Sequence, residues 1–457
     1  MDLEAALHWA QEQGASYADV RVESTQEQKL TIQDGALENL VAGTERGFGL
    51  RVLVDGAWGF ASSNDMAPAS LRQAVETAMR LARAGRSDHE VRLAPTQPIK
   101  ARIHWRPTID PRDVDVADKQ ALLADMDAAV RGHDEIRAVT TAYADAVIEK
   151  RFLSTDGADL EWSLTRSVAQ VHFTAKRGDH LAGRSTRVGG TRGWELFSHE
   201  DPIAKARDAA AAAVRQLGAP AAKGGRTTVV IDPELAGVFA HEAVGHASEA
   251  DLVAAGESCF KGRMGERLGI EGLTIHDDST LEGAFGSIPF DDHGVPGQDK
   301  SILEDGVLKG FLSDRERGAE LGIEANGAAR AQGYAHRPMV RMSNTLIDAG
   351  DHAEDEVLDV KDGIFCKGSR GGQVDTARGT FLFHAQDAWR IENGELTTPL
   401  RDVSLTGDIL QTLHRIDALG DEMRLGDPGY CGKGQWVPVC DGGPLTRIQD
   451  CLVGGGA

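Results

Sequence analysis

The sequence predicts an α+β chain: an N-terminal α/β region of two similar helix-strands-helix units, followed by a mostly β C-terminal metal domain carrying one long H-E-x-x-x-H helix. Three observations predict it. Residues 2–13 and 68–84 space their apolar side chains as helices do, the segments between them alternate as strands do, and the same order recurs over 118–217. From Arg226 onward the chain turns glycine-rich and strand-like. Within that part, His241-Glu242-Ala243-Val244-Gly245-His246 falls in a run of helical character.

The first unit is assigned to residues 1–94, with a helix over 2–13, strands over 17–24, 29–33, 37–54 and 56–61, and a helix over 68–84. The second, residues 112–218, repeats the order: a helix over 118–130, strands over 136–149, 151–154, 160–175 and 180–189, and a helix over 202–217. Gln33-Asp34-Gly35 and Thr155-Asp156-Gly157 are the matching hairpin turns, and the pattern reads as a duplication. Residues 95–111 are the expected linker between the units, and Gly218-Ala219-Pro220 with Lys223-Gly224-Gly225 leads into the third domain, residues 226–457. Short helices are expected there near 315–322 and 404–417.

Thr227-Thr228-Val229-Val230-Ile231 reads as a short buried strand, Asp232 as a helix N-cap and Pro233 as the first helical residue. Leu235, Val238, Phe239 and Val244 supply the apolar face. The motif has one residue more than the common H-E-x-x-H pattern. Residues five apart on a regular α-helix are turned by roughly 140°, which would keep His241 and His246 from one ion. A π-bulge absorbs one extra residue, so a wide turn is expected between Glu242 and His246, with Gly245 leaving it uncrowded. Glu242 stands where a carboxylate can take a proton from water and pass it to a leaving amine.

A catalytic zinc site uses three protein ligands and keeps one position open. Glu249, Asp251, Cys259, His276, His293, Cys366, Cys431, Cys440 and Cys451 are the candidates for the third. Cys431 is chosen because Gly429, Gly432 and Gly434 around it let the backbone approach an ion, with Lys433 expected to help depress the thiol pKa. Glu249 is cast as the carboxylate that orients a ligand histidine.

The stretch His241-Glu242-Ala243-Val244-Gly245-His246-Ala247-Ser248-Glu249-Ala250-Asp251, the segments Ile288-Pro289-Phe290-Asp291-Asp292-His293-Gly294-Val295-Pro296 and Ser343-Asn344-Thr345, and the tail Gly432-Lys433-Gly434-Gln435-Trp436-Val437-Pro438-Val439 resemble the TldD/PmbA family of modulator-of-gyrase proteases. The similarity runs through nearly the whole chain and is of the metal-bearing TldD type. The resemblance implies a cytoplasmic zinc metallopeptidase acting on unfolded peptides or flexible protein segments. His241, His246 and Cys431 would be zinc ligands and Glu242 the general base and acid. It also implies a dimer, either a homodimer or a heterodimer with a TldE/PmbA-like chain. His293 departs from the acidic residue that relatives tend to carry after Asp291-Asp292, and is read either as a substrate-facing residue or as a solvated loop histidine.

Composition excludes several classes. A formal charge of −22 disfavours nucleic acid as a partner, because binding it depends on neutralising phosphates. No run of about 18 apolar residues predicts a membrane span. Met1-Asp2-Leu3-Glu4 lacks the basic start and apolar run of a secretory signal, so a cytoplasmic location is expected. Five scattered cysteines read as reduced thiols. Residues 328–344 and 367–376 read as lining a cleft where a peptide adds as a strand, with 368–372 equally readable as an ordinary turn; Arg330, Arg337 and Arg341 are available either for a peptide carboxylate or for pairing with the abundant acidic groups. Two alternatives stand beside the peptidase reading: a non-catalytic peptide-binding subunit with structural zinc, and a zinc hydrolase of a small amide.

Overall fold

The computed structural model describes residues 2–86 and 90–455; residues 1, 87–89, 456 and 457, which fall inside the expected first and last domains, lie outside the described residues. The two N-terminal units share one seven-stranded sheet. Its order is Ala57–Ser63, Ala36–Val54, Tyr17–Gln33, Ile136–Ser154, Asp159–Arg177 and Lys100–His104, with His180–Gly190 also paired to Asp159–Arg177. The units join where Tyr17–Gln33 runs antiparallel to Ile136–Ser154. Helices Leu3–Glu12 and Pro68–Ala84 cover one part of the sheet through Leu7, Val75 and Ala78 against Val20, Leu50 and Val52. Val116–Val130 and Pro202–Gln216 cover the other through Leu123, Met126, Ala206 and Ala210 against Val139, Val171 and Phe173.

Two departures from the expected elements have the same cause. The strands expected as 17–24 and 29–33 are one strand of 17 residues, and those expected as 136–149 and 151–154 are one of 19. The polar residues that read as breaks find their partners across the sheet: Glu23 lies opposite Lys150, with an ion pair of 3.2 Å between them. Likewise the expected linker contains the strand Lys100–His104, which runs parallel to residues 159–163.

In the C-terminal part, Asp362–Asp375, Gly225–Ile231, Thr446–Gly454, Ser404–Asp408 and Thr380–Glu392 pair in that order, and the last pairs back to the first, closing a small barrel. A second sheet runs Val307–Leu308, Asp299–Glu304, Ile275–Asp278, Asn344–Ile347, Trp436–Gly443 and Arg424–Leu425, with Gly429–Gly432 also paired to Trp436–Gly443. The fold is therefore mixed and mostly β. The helix expected over 404–417 is divided into strand Ser404–Asp408, a short helix Ile409–Leu413 capped by Asp408, and strand Ile416–Leu419, because Ser404, Leu405 and Thr406 pair on both sides in the barrel. The helix expected near 315–322 spans Arg315–Leu321.

The N-terminal sheet meets the C-terminal part through buried polar contacts. Arg184 donates to both Asp387 oxygens at 2.7 and 2.5 Å, Lys150 Nζ lies 3.0 Å from Asp292, and Arg51 Nη1 lies 2.6 Å from His293 Nε2. No described helix is long and apolar enough to cross a membrane.

His276 sits between Asp299 and Asp348, its ring nitrogens 2.5 and 3.1 Å from their oxygens. Burial works against its protonation, but hydrogen bonds to Asp348 and Asp299 raise its pKa to about 9. A raised folded-state pKa contributes stability that is present below the ordinary imidazole value and lost as pH rises through about 9. In denaturant titrations between pH 6.5 and 10, the wild type is expected to lose stability relative to His276→Gln by on the order of 1 kcal/mol, since both carboxylates are half exposed and screened. Parallel pH profiles for the two proteins would refute this account of His276.

Candidate metal centre

Strand Gly225–Ile231 delivers the chain to Asp232, whose carboxylate caps the following helix by accepting from Leu235 N at 3.0 Å and also accepts from Gly368 N at 2.9 Å. Pro233–Phe239 is α-helical, Ala240–Gly245 is wound as a π-helix, and His246–Ser248 tightens to 3-10 geometry. Glu249 is extended, and a separate helix, Ala250–Ala255, follows. The single long helix of the sequence reading is thus a composite that stops at Ser248. The wide turn absorbs the extra residue, and the two imidazole rings come to lie 5.2 Å apart. Leu235, Ala236, Phe239, Ala240, Ala243, Val244 and Ala247 are all buried against the sheets, while Val238 faces the cleft. Gly245 is required for a reason the sequence does not show: a Cβ there would lie 2.1 Å from Sδ of Met342, which is fully buried.

The third donor comes from strand Gly429–Gly432, the first arm of a hairpin with Trp436–Gly443 that turns at Gly434 with φ +72°. Cys431 Sγ lies 3.4 Å from His246 Nε2, and the donor atoms of His241, His246 and Cys431 all fall within 4.8 Å of one another. No other His, Cys, Asp or Glu group of three converges in this way among the described residues. None of the five cysteines is paired with another. Burial pushes Cys259 and Cys451 up to about 11 and Cys440 up to about 12.

Cys431 behaves oppositely. Burial alone would raise its pKa, but the charge and hydrogen bond of His241, with those of His246, hold it at about 4. The same couplings overcome burial to raise His241, and with Glu249 they raise His246 well above the ordinary imidazole value. The two histidines are therefore the main groups that depress the thiol. Lys433 pairs with both oxygens of Asp251 at 3.0 and 2.9 Å and donates to Val340 O at 2.7 Å.

Glu249 is fully buried and takes His246 Nδ1 at 2.8 Å on Oε2. Its Oε1 faces Lys433 Nζ at 3.1 Å and Arg341 Nε at 4.0 Å, as ion pairs without aligned hydrogen bonds. Arg341, expected as a possible carboxylate binder, is fully buried beneath the site and donates to the carbonyls of Cys431 and Gln435 at 2.5 and 2.6 Å. Arg337 reaches this region through its backbone, whose carbonyl accepts from Gln435 Nε2 at 2.7 Å. His293 is placed elsewhere: it is buried beside Arg51, where burial and the surrounding guanidinium groups of Arg51, Arg315, Arg21 and Arg337 hold it well below its ordinary pKa. A buried neutral imidazole tied to the N-terminal sheet is not the substrate-facing residue expected.

His241, Glu242, His246 and Cys431 line a cleft of about 490 Å³ that also includes Ser369, Gly371 and Gly372 from the expected 367–376 segment. That segment is not a simple turn; it lies in strand Asp362–Asp375 at a register shift between Ser369 and Gly372. The lining residues that sequence reasoning did not assign to the site include Glu234, Asp427, Tyr430, Trp436 and Asp441. Burial raises Asp441 to about 7 and Glu234 to about 8, with further upward contributions from Glu242 and Asp427 on the former and from Asp427 and Asp232 on the latter. Tyr430 and Trp436 are 51% and 61% exposed, and an aromatic so placed beside Cys431 was the available signal.

The chain's relatives are metallopeptidases by name. Models described as PmbA/TldA metallopeptidase domain 1, central domain and C-terminal domain match residues 18–82, 109–217 and 224–455. The chain belongs to the TldD/PmbA family. A metalloprotease of Methanothermobacter thermautotrophicus is 39% identical over 446 residues, covering 97% of this chain and 96% of its own. A zinc metalloprotease TldD homologue of Saccharolobus solfataricus is 28% identical over 452 residues, 98% of each chain. The fold also matches TldE from Thermococcus kodakarensis with a TM-score of 0.80 over 99% of both chains, at 16% identity, a likeness of fold alone.

The contact between Gly245 and Met342 is testable. Gly245→Ala is expected to cost about 1–3 kcal/mol of stability through overpacking, and Met342→Ala is expected to cost less in the Gly245→Ala background than in the wild type, so that the two losses are less than additive. Strictly additive losses in the double variant, read by denaturant unfolding, would show that the two residues do not constrain each other.

Proposed function

We propose that this protein is a zinc-dependent metallopeptidase that hydrolyses peptide bonds in unfolded peptides or flexible protein segments. The reading rests on one observation: the donor atoms of His241, His246 and Cys431 converge within 4.8 Å on a cleft that also holds the Glu242 carboxylate. The donor set suits zinc. Two imidazoles and a thiolate match its borderline-soft character, and Nδ1 of His241 is buried with no hydrogen-bond partner in the protein. The name of the Saccharolobus relative supports the same metal.

Bound zinc supplies a Lewis acid that lowers the pKa of water and polarises a carbonyl. The protein's own groups supply the rest. Glu242 is partly exposed to the cleft with Oε2 3.9 Å from His246 Nε2, and accepts the proton of the attacking water before giving it to the leaving amine nitrogen. Glu249 fixes the orientation of the His246 ring through Nδ1. A structural zinc site is normally closed by four protein ligands, and only three donors converge here among the described residues, which favours catalysis.

Exposed Tyr430 and Trp436 line the cleft, which suits an extended chain more than a small amide. The register shift at Ser369 to Gly372 interrupts strand pairing beside the donors, where a substrate backbone can pair. We read the assembly as a dimer, with itself or with a TldE/PmbA-like chain. Residues 36–46 support this: they are exposed, pair on one side only among the described residues, and display Leu37, Leu40 and Val41. The domain division 1–94, 112–218 and 226–457 is part of the same proposal.

Metal analysis joined to activity tests the mechanism. About one zinc per chain is expected, lost in Cys431→Ala, whereas Glu242→Ala retains zinc and loses cleavage of an unstructured peptide by at least about 100-fold. Normal turnover by Glu242→Ala would contradict the assigned chemistry, and full zinc in Cys431→Ala would contradict the ligand set.

A further inference from the structure

Beside the metal cleft lies a second cavity of about 300 Å³ between the N-terminal sheet and the C-terminal part, and the two share Tyr430 and Trp436 as walls. Its apolar surface comes from Leu164, Phe285, Phe290, Val437 and Pro438. Four carboxylates line it, and each is paired with at least one cation. Glu27 pairs with Lys29 at 2.7 Å, Asp145 with Lys119 at 2.9 Å, and Glu23 and Asp292 with Lys150 at 3.2 and 3.0 Å; Asp292 also meets Arg21 at 3.2 Å.

Two guanidinium groups are left over. Arg166 and Arg330 line the cavity, are only 8% and 4% exposed, and form no salt bridge with any carboxylate among the described residues. Arg166 donates from Nε and Nη2 to the carbonyls of Phe285 and Ser287 at 2.8 and 3.0 Å, which leaves Nη1 free for a ligand. Arg330 donates from Nη1 to Met342 O at 2.6 Å, which leaves Nη2 and Nε. Burial lowers Arg166 to about 10, and burial with repulsion from Arg166 and Arg341 lowers Arg330 to about 9. Asp277 and Asp292 act on Arg330 and Glu23 acts on Arg166 only from beyond ion-pair distance, and burial outweighs them. Two buried like charges without a paired carboxylate are costly in a folded protein, and a bound anion reduces that cost.

We propose that this cavity binds the free C-terminal carboxylate of a peptide whose last residue is apolar, held between Arg166 and Arg330 while the preceding backbone runs past Tyr430 and Trp436 to the metal cleft. The proposal deepens the peptidase reading and rests on it. A planar guanidinium matches a carboxylate, and the apolar walls select an anion carried on an apolar residue rather than a bare acidic side chain. The protein then cuts at a set distance from a free C-terminus.

The zinc-loaded full-length protein is tested on three short unstructured peptides: one ending in phenylalanine as the free acid, the same sequence as the phenylalanine amide, and that amide with one internal residue replaced by glutamate. The free acid is expected to show a KM at least about tenfold lower than the amide, with kcat little changed and cuts clustered at one distance from the C-terminus by mass spectrometry. Arg330→Gln is expected to erase the preference at unchanged zinc content. Equal KM for acid and amide overturns the carboxylate site while cleavage of both leaves the peptidase reading intact. An amidated glutamate peptide handled as well as the free acid shows that the cavity reads acidic side chains, and overturns the terminal assignment. If no peptide is cleaved, the peptidase reading fails, and fluorescence anisotropy with labelled acid and amide peptides still decides the site. There, at least about tenfold tighter binding of the acid supports it and equal binding overturns it.

Discussion

The buried carboxylate of Glu249 is the point on which the site depends. One oxygen receives His246 Nδ1, and the other faces the ammonium of Lys433 and the guanidinium of Arg341. A carboxylate with no exposure persists only where cations answer it, and here the cations arrive from different parts of the chain. Arg341 in turn holds the carbonyls of Cys431 and Gln435. The helix that carries the histidines and the hairpin that carries the thiol are thereby tied by charge beneath the three converging donors, although 185 residues separate His246 from Cys431.

The surrounding fold serves that junction. The composite helix lies between the barrel and the second sheet, with its alanines and phenylalanine in the shared core. Gly237 lets it approach the strand Trp436–Gly443, since a Cβ there would stand 2.4 Å from Gly442 N. The same strand pairs with Gly429–Gly432 and so carries Cys431 to the histidines. On the far side, the N-terminal sheet closes over the cavity that holds Arg166 and Arg330.

Much of this was legible in the sequence where periodicity or residue type carries the signal. Helices Pro68–Ala84 and Pro202–Gln216 announce themselves by spacing and an initial proline, and the histidine pair with its glutamate by chemistry. Cys431 stood out in the sequence by its glycine-rich setting, and one of those glycines also has a packing role there: a Cβ on Gly432 would lie 3.0 Å from the Trp436 ring. What was not legible depends on long-range partners. The polar middle of Tyr17–Gln33 reads as a break until Lys150 is placed opposite Glu23, and closure of the barrel needs Asp362–Asp375 to meet Thr380–Glu392 on one side and Gly225–Ile231 on the other. Arginines are the extreme case. Arg341, Arg166 and Arg330 look alike in sequence, yet one braces the hairpin of Cys431 and two face a cavity.

The most direct test of this account is the zinc affinity of Glu249→Gln, measured by competition with a chelator of known strength. The substitution keeps the shape but removes the charge that joins His246 to Lys433 and Arg341. The account predicts affinity weakened by about 10–100-fold. Wild-type affinity in Glu249→Gln would contradict the claim that this buried carboxylate holds the site together.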